Sequence, residues 1–300
     1  MTAPAVTPGP FGSVLTAMVT VFHEDGSVDL EQTQKVARHL VDHGHDGLVV
    51  SGTTGESATT TVAEDAETLA AVKDAVGDRA KIVAGVGTND TRTSIELAKQ
   101  AEKVGADGLL LVTPYYNKPG QKGIAQHFRQ VAEATAVPVM LYDVPGRTGS
   151  AIGYEVYREA IRWDTVVAVK EAAGDLQRGI KLLDLGYYLY SGDDGLNLAW
   201  LAHGACGVVS VAGHVAGDLL RAMYDQWASG DSVAARNTYA RMLPAIEAIM
   251  GVPNYGATTA KAALELTGVI DNRHVRSPLV QLDDDEVEAL RAGLVASGLL

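Results

Sequence analysis

The stretch Val137-Pro138-Val139-Met140-Leu141-Tyr142-Asp143-Val144-Pro145 decides the fold. It is apolar on successive residues rather than on alternate ones, so both of its faces need cover, which is the mark of a parallel strand lying under helices. Similar runs recur along the chain at Val14–Phe22, Gly47–Ser51, Lys81–Gly87, Gly108–Thr113, Val137–Val144, Val166–Glu171, Tyr188–Gly192 and Gly207–Val211. Helical periodicity fills the intervals at Leu30–His43, Ala63–Val76, Thr93–Val104, Ile124–Ala134, Tyr154–Arg162, Leu176–Leu185 and Leu196–His203, and the eighth helix is Ala216–Ala228. Eight strands each trailed by a helix close into an α/β (β/α)8 TIM barrel, with chemistry expected at the C-terminal strand ends. A doubly wound open sheet is the competing arrangement, but no G-x-G-x-x-G follows the first strand.

Three regions are expected. Three prolines among the first ten residues suggest a flexible tail over residues 1–12. The barrel occupies 13–230, and 231–300 reads as a helical C-terminal region with helices at Ser232–Met250, Thr258–Thr267 and Asp284–Ala296. Periodicity leaves open whether that region packs on the barrel.

The chain has 300 residues, 47% hydrophobic and 20% charged, the composition of a globular protein. A net charge of −13 argues against nucleic-acid and anionic-membrane partners. No run of 18 apolar residues and no basic leader are present, and the single Cys206 asks for no oxidising compartment, so the expected location is cytoplasmic.

Lys170 is the most informative residue because it lies inside the apolar run Val166-Val167-Ala168-Val169-Lys170-Glu171. A buried ammonium either finds a carboxylate or loses its proton, and a neutral amine attacks carbonyls to form Schiff bases. Pairing with Glu171, or snorkelling to solvent, is the alternative. Tyr142 at a strand end is a proton shuttle or a core residue with a polar tip, and Arg147 beyond it is a carboxylate fork or a solvated loop residue. Gly52-Thr53-Thr54-Gly55-Glu56 leaves a strand through glycines that let backbone N–H groups approach an anion, although a threonine-capped turn explains the same letters. Asp193-Asp194 is a Mg²⁺ pair or a helix cap, and the scattered histidines give no zinc spacing. Asp283-Asp284-Asp285-Glu286 reads as a helix cap.

Gly52-Thr53-Thr54-Gly55-Glu56, Thr113-Pro114-Tyr115-Tyr116, Tyr142-Asp143-Val144-Pro145-Gly146-Arg147-Thr148-Gly149, Val169-Lys170-Glu171-Ala172 and Ser191-Gly192-Asp193-Asp194 stand in the order of successive strand ends. Together they resemble the dihydrodipicolinate synthase/N-acetylneuraminate lyase family of Schiff-base aldolases. The resemblance implies condensation of pyruvate with aspartate 4-semialdehyde in lysine and diaminopimelate biosynthesis, with no cofactor and no metal. It implies that Lys170 carries the imine, that Tyr142 moves protons, and that Thr53 links Tyr142 to Tyr116. It further implies that Tyr116 enters from a neighbouring subunit of a homotetramer built from dimers. Thr54 and Gly55 would hold the pyruvate carboxylate, Arg147 the semialdehyde carboxylate, and the backbone near Val209 would face the imine.

Arg147 argues for the charged semialdehyde, and a pyruvate aldolase or dehydratase acting on a sugar acid is the runner-up. A non-catalytic keto-acid sensor and a metal-dependent aldolase are weaker readings. Two departures from the family pattern stand out. Val21 replaces a usual proline, and Val62, Asp65 and Thr93 stand where lysine-inhibited members carry histidines and a glutamate, with Asn89 and Tyr115 retained. Weak or absent lysine feedback is expected.

Overall fold

A computed structural model describes residues 7–300. Eight parallel strands close a barrel in sequence order: β1 (Val14–Ala17), β2 (Gly47–Val50), β3 (Lys81–Gly85), β4 (Gly108–Val112), β5 (Val139–Asp143), β6 (Val166–Glu171), β7 (Tyr188–Ser191) and β8 (Gly207–Ser210). The helices are α1 (Leu30–Asp42), α2 (Val62–Val76), α3 (Thr91–Val104), α4 (Gln121–Ala132), α5 (Pro145–Thr148), α6 (Tyr154–Ala160), α7 (Leu176–Asp184), α8 (Asn197–Ala202), α9 (Gly213–Ala228), α10 (Ser232–Met250), α11 (Ala257–Leu266) and α12 (Asp284–Ala296). The expected (β/α)8 barrel is therefore present, and α5 is a single extra turn after β5.

The continuous apolar runs have a simple cause. Along each strand alternate side chains enter the lumen or face the helices, and both destinations are dry. Leu15, Val49, Val83, Leu110, Met140, Ala168 and Val209 fill the lumen cluster, while Leu48, Ile82, Leu109, Leu141, Val169 and Leu189 join the larger core under the helices. Tyr142 belongs with Met140 in the lumen, and Lys170 shares the parity of Ala168. Asp143 and Glu171, one residue on, point the opposite way.

Two sequence expectations change. β1 stops at Ala17 instead of reaching Phe22, because beyond the Met18 N–H, which still donates to Val49 O at 2.9 Å, the chain turns to side-chain acceptors. The Val19 N–H donates to His214 Nε2 at 3.1 Å and the Val21 N–H to the Thr33 hydroxyl at 3.0 Å. A proline at position 21 would lack that donor. The expected tail over 1–12 does not describe its last residues. Residues 1–6 lie outside the described residues, but Phe11 is only 1% exposed and closes the barrel floor, its N–H donating to the Tyr190 hydroxyl at 3.1 Å. Gly108 makes room for it, since a Cβ there would lie 2.3 Å from the Phe11 ring.

The C-terminal region packs on the barrel. α9, α10 and α12 build a second core with Met223, Met242, Ile246, Leu290 and Leu294, and Val14 of β1 joins it. α11 is buried through Ala257–Leu264 and contributes Ala260 and Leu264 to the main core and Ala262 and Ala263 to the second. The acid run at 283–286 caps α12, with the Asp283 carboxylate accepting the Glu286 N–H in a capping box.

Candidate active site

Lys170 and Tyr142 are register partners on neighbouring strands, and both side chains enter the lumen near its C-terminal mouth. The Lys170 Nζ lies 4.3 Å from the centre of the Tyr142 ring. Lys170 is 5% exposed. Burial lowers its pKa to about 8, the charge of Asp194 opposing this and that of Arg147 adding to it. Burial likewise raises the Tyr142 phenol to about 12, against the pull of Arg147 and of the nearby Thr53 side chain. A neutral amine is thus accessible near neutrality beside a phenol that keeps its proton.

Glu171 is not the partner of Lys170. Its carboxylate faces outward, where Oε1 accepts from Arg178 Nη2 at 2.8 Å and Oε2 from the Gly174 N–H at 3.0 Å. The same Arg178 nitrogen lies 3.0 Å from Asp143 Oδ2, which also accepts from the Tyr157 hydroxyl at 3.1 Å. One guanidinium on α7 therefore ties together the ends of β5 and β6, and both carboxylates are fully buried. This clamp lies immediately after Tyr142 and Lys170 in the two strands.

Ser51–Ser57 makes a compact turn after β2. Gly55 N–H donates to Gly52 O at 3.0 Å, Glu56 N–H to Thr53 O at 3.1 Å and Ser57 N–H to Gly52 O at 3.3 Å. The N–H groups of Thr53 and Thr54 find no acceptor among the described residues, which suits an anion site. Ser51 and Glu56 have φ of 55° and 59°, each a left-handed residue costing about 1–3 kcal/mol unless its surroundings hold it. Gly85 on β3 faces the turn, and a Cβ there would lie 2.1 Å from Ser51 O.

Arg147, on α5, is exposed. Its Nη2 donates to Tyr255 O at 3.3 Å, and its guanidinium lies 4.7 Å from the centre of the Tyr255 ring. Tyr255 belongs to the α10–α11 connection and was not singled out from sequence. An aromatic residue in that Pro- and Gly-rich link was the available signal. Val209, 1% exposed, lies in the lumen cluster with Tyr142.

The chain does not bring Tyr116 to Thr53. Tyr116 is 88% exposed with φ 69°, and of the expected relay only Thr53 lies near enough to Tyr142 to lower its phenol pKa within one subunit. Asp194 is committed to the protein rather than set out for a metal. Its Oδ1 accepts from Ser210 Oγ at 2.5 Å and Asn197 Nδ2 at 2.9 Å, and its Oδ2 from the Val211 and Ala212 N–H groups at 2.8 Å each. Those bonds fill a carboxylate's acceptor sites and fasten the end of β7 to that of β8. Asp193 caps the turn at Asp194–Leu196, as a helix-capping reading expects.

A family model described as the dihydrodipicolinate synthetase family matches residues 10–297. The chain belongs to that family. A 4-hydroxy-tetrahydrodipicolinate synthase of Kineococcus radiotolerans is 53% identical over 302 residues, covering 99% of this chain and 97% of that relative. Among solved structures of the family, DHDPS from Cyanidioschyzon merolae with lysine bound gives a TM-score of 0.93 at 39% identity, covering 97% of this chain and 99% of that one. The chloride-inhibited dihydrodipicolinate synthase from Acinetobacter baumannii complexed with pyruvate gives 0.92 at 34%, covering 97% and 100%.

Replacing the clamp arginine, Arg178→Ala, leaves two buried carboxylates unpaired and is expected to destabilise the protein by about 3–5 kcal/mol. Burial already raises the Asp143 pKa while Arg178 lowers it, so the substitution raises it further. A carboxyl whose folded pKa lies above its unfolded value is destabilising once ionised, and the deficit shrinks as pH falls through the folded pKa. Urea denaturation of the variant at pH 8 and pH 5 checks this. An equal deficit at both values refutes the clamp.

Proposed function

We propose that the protein is a 4-hydroxy-tetrahydrodipicolinate synthase, condensing pyruvate with L-aspartate 4-semialdehyde on the route to diaminopimelate and lysine. The observation that carries this reading is Lys170, buried, without an ion pair among the described residues, and over the Tyr142 ring at the barrel mouth. The Lys170 amine adds to the pyruvate carbonyl, and loss of water leaves an imine. The imine nitrogen draws electrons, so a methyl proton is lost and an enamine forms. That carbon attacks the aldehyde, making a C–C bond and an alkoxide that takes a proton. The amino group of the semialdehyde portion then displaces Lys170 as the ring closes.

Tyr142 suits the proton transfers because burial keeps its phenol protonated, with the Thr53 side chain beside it. Unclaimed N–H groups of Thr53 and Thr54 suit the pyruvate carboxylate, while the Gly55 N–H donates to Gly52 O and Gly55 packs against Met18 O and Thr20, so its part is to let the turn close. Arg147 offers a planar fork to the second carboxylate, which favours a short charged aldehyde over a sugar acid. The exposed Tyr116 fits the expectation that it completes the relay of a neighbouring subunit, in a homotetramer built from dimers. We place the enzyme in the cytoplasm. Among the described residues no helix is long and apolar enough to cross a membrane.

Borohydride reduction with pyruvate is expected to add a pyruvate-derived mass at Lys170, and an unmodified lysine rejects the assignment. Since only the neutral amine attacks, the rate of imine formation rises with pH, with its midpoint near the pKa of about 8. Stopped-flow measurements across that range check the sign. Arg147→Ala removes a charge-assisted carboxylate contact of about 1.5–3 kcal/mol, so the semialdehyde KM or kcat/KM worsens by about 10–100-fold while pyruvate trapping persists. An equal loss for both substrates counts against this role.

Lysine feedback is weak or absent because Val62, Asp65 and Thr93 replace ligand-type side chains. Asp65 is buried and accepts from the Thr60 hydroxyl at 2.8 Å, while Thr93 donates to Asp90 at 2.6 Å. Submillimolar inhibition by lysine in a coupled assay overturns this.

A further inference from the structure

A second lysine is buried at the same end of the barrel. Lys261 on α11 is fully enclosed, and its partner Glu56 closes the turn that begins with Thr53 and Thr54. Glu56 Oε1 accepts from Lys261 Nζ at 2.5 Å, and Oε2 accepts the Arg276 N–H at 2.9 Å. The same ammonium donates to His274 O at 2.8 Å and lies 4.3 Å from the centre of the Phe22 ring. The Arg276 guanidinium is also 4.3 Å from that centre and donates to Gly26 O at 2.8 Å and Thr59 O at 2.7 Å.

Three segments distant in sequence thus meet around one ion pair: the chain after β1, the turn after β2, and the C-terminal region. With a carboxylate, a carbonyl and a π face around its ammonium, Lys261 has no role as a second nucleophile. Its location gives it another. Glu56 is a non-glycine residue with φ 59°, a backbone state that persists only where the surroundings enforce it. The pair supplies that enforcement through the Glu56 side chain, while the backbone of the turn is held by short-range bonds: three within it, and the Thr59 N–H and hydroxyl donating to Glu56 O at 2.9 and 3.0 Å.

We propose that the Lys261–Glu56 pair is a positioning device that holds the Thr53–Thr54 turn in its binding conformation, making the C-terminal region part of the active site. The binding role of the turn rests on the function proposed above. Its fixation does not, and the two can be tested apart. Replacing both members of a buried ion pair by uncharged groups of similar size is often neutral for stability, so stability and positioning can be separated.

The test compares the wild type with the Glu56→Gln/Lys261→Met double variant and with Lys261→Met alone. Lys261→Met strands a buried carboxylate and lowers Tm, whereas the double variant keeps a Tm close to wild type. In the ligand-free double variant, amide hydrogen exchange at Gly55, Glu56 and Ser57 accelerates about tenfold or more, while the amides of β5 and β6 are unchanged. The pyruvate KM rises about tenfold, yet saturating pyruvate with borohydride still labels Lys170.

Wild-type exchange in the turn, or a wild-type pyruvate KM in a folded double variant, overturns the proposal. A double variant that does not fold also overturns it, by making the pair a requirement of folding. If the wild type takes no pyruvate on Lys170, the proposed function fails, and the exchange measurement still decides whether the pair holds the turn.

Discussion

Among the described residues no carboxylate is bonded to the buried Lys170 amine, and the chemistry proposed for the barrel mouth depends on that desolvation. Lys261 makes the comparison within the same molecule. Burial lowers both pKa values to about 8, but Lys261 is bonded to Glu56 and to a carbonyl. Among the described residues Lys170 has the Tyr142 ring beside it and the more diffuse, opposing fields of Asp194 and Arg147. Enclosure is common to the two, and freedom from partners is what suits Lys170 to the nucleophilic role proposed for it.

Strand alternation supplies that freedom. Asp143 and Glu171 follow Tyr142 and Lys170 directly, yet the pleat turns them to the other side of the sheet. There Arg178 satisfies both carboxylates, so the nearest acids in sequence neither neutralise the lysine nor deprotonate the tyrosine. Asp194 plays the complementary part at the next strand end. Its bonds to Ser210, Val211 and Ala212 hold β7 and β8 together, and its charge limits how far the Lys170 pKa falls. The mouth is built by acids that are close but engaged elsewhere.

The barrel was legible because its strands are dry on both faces, which leaves uninterrupted apolar runs that few other structures require. Strand ends were less legible. In Val14–Phe22 the apolar letters continue after the ladder has ended, because His214 and Thr33 take over as acceptors and hydropathy does not register that exchange. Lys170 was legible as a cation in an apolar run. Tyr255 and Lys261 were not, since each acts through a partner remote in sequence, and Arg178 was not, since its clamp needs Asp143 from another strand as well as the nearby Glu171. Lys261 and Glu56 are 205 positions apart, and the lysine lies in an ordinary helical stretch. Phe11 was hidden by the prolines around it. Tyr116 was read from resemblance, and its exposed ring has its proposed role in a second subunit.

The floor of the barrel has a consequence for how the chain is made. Phe11 rests against Tyr190 of β7, and β1 finds its second neighbour in β8. While the ribosome is still adding the middle of the polypeptide, neither partner exists. The first apolar segment to emerge must therefore wait, with one strand edge open, until the barrel's last quarter has been synthesised.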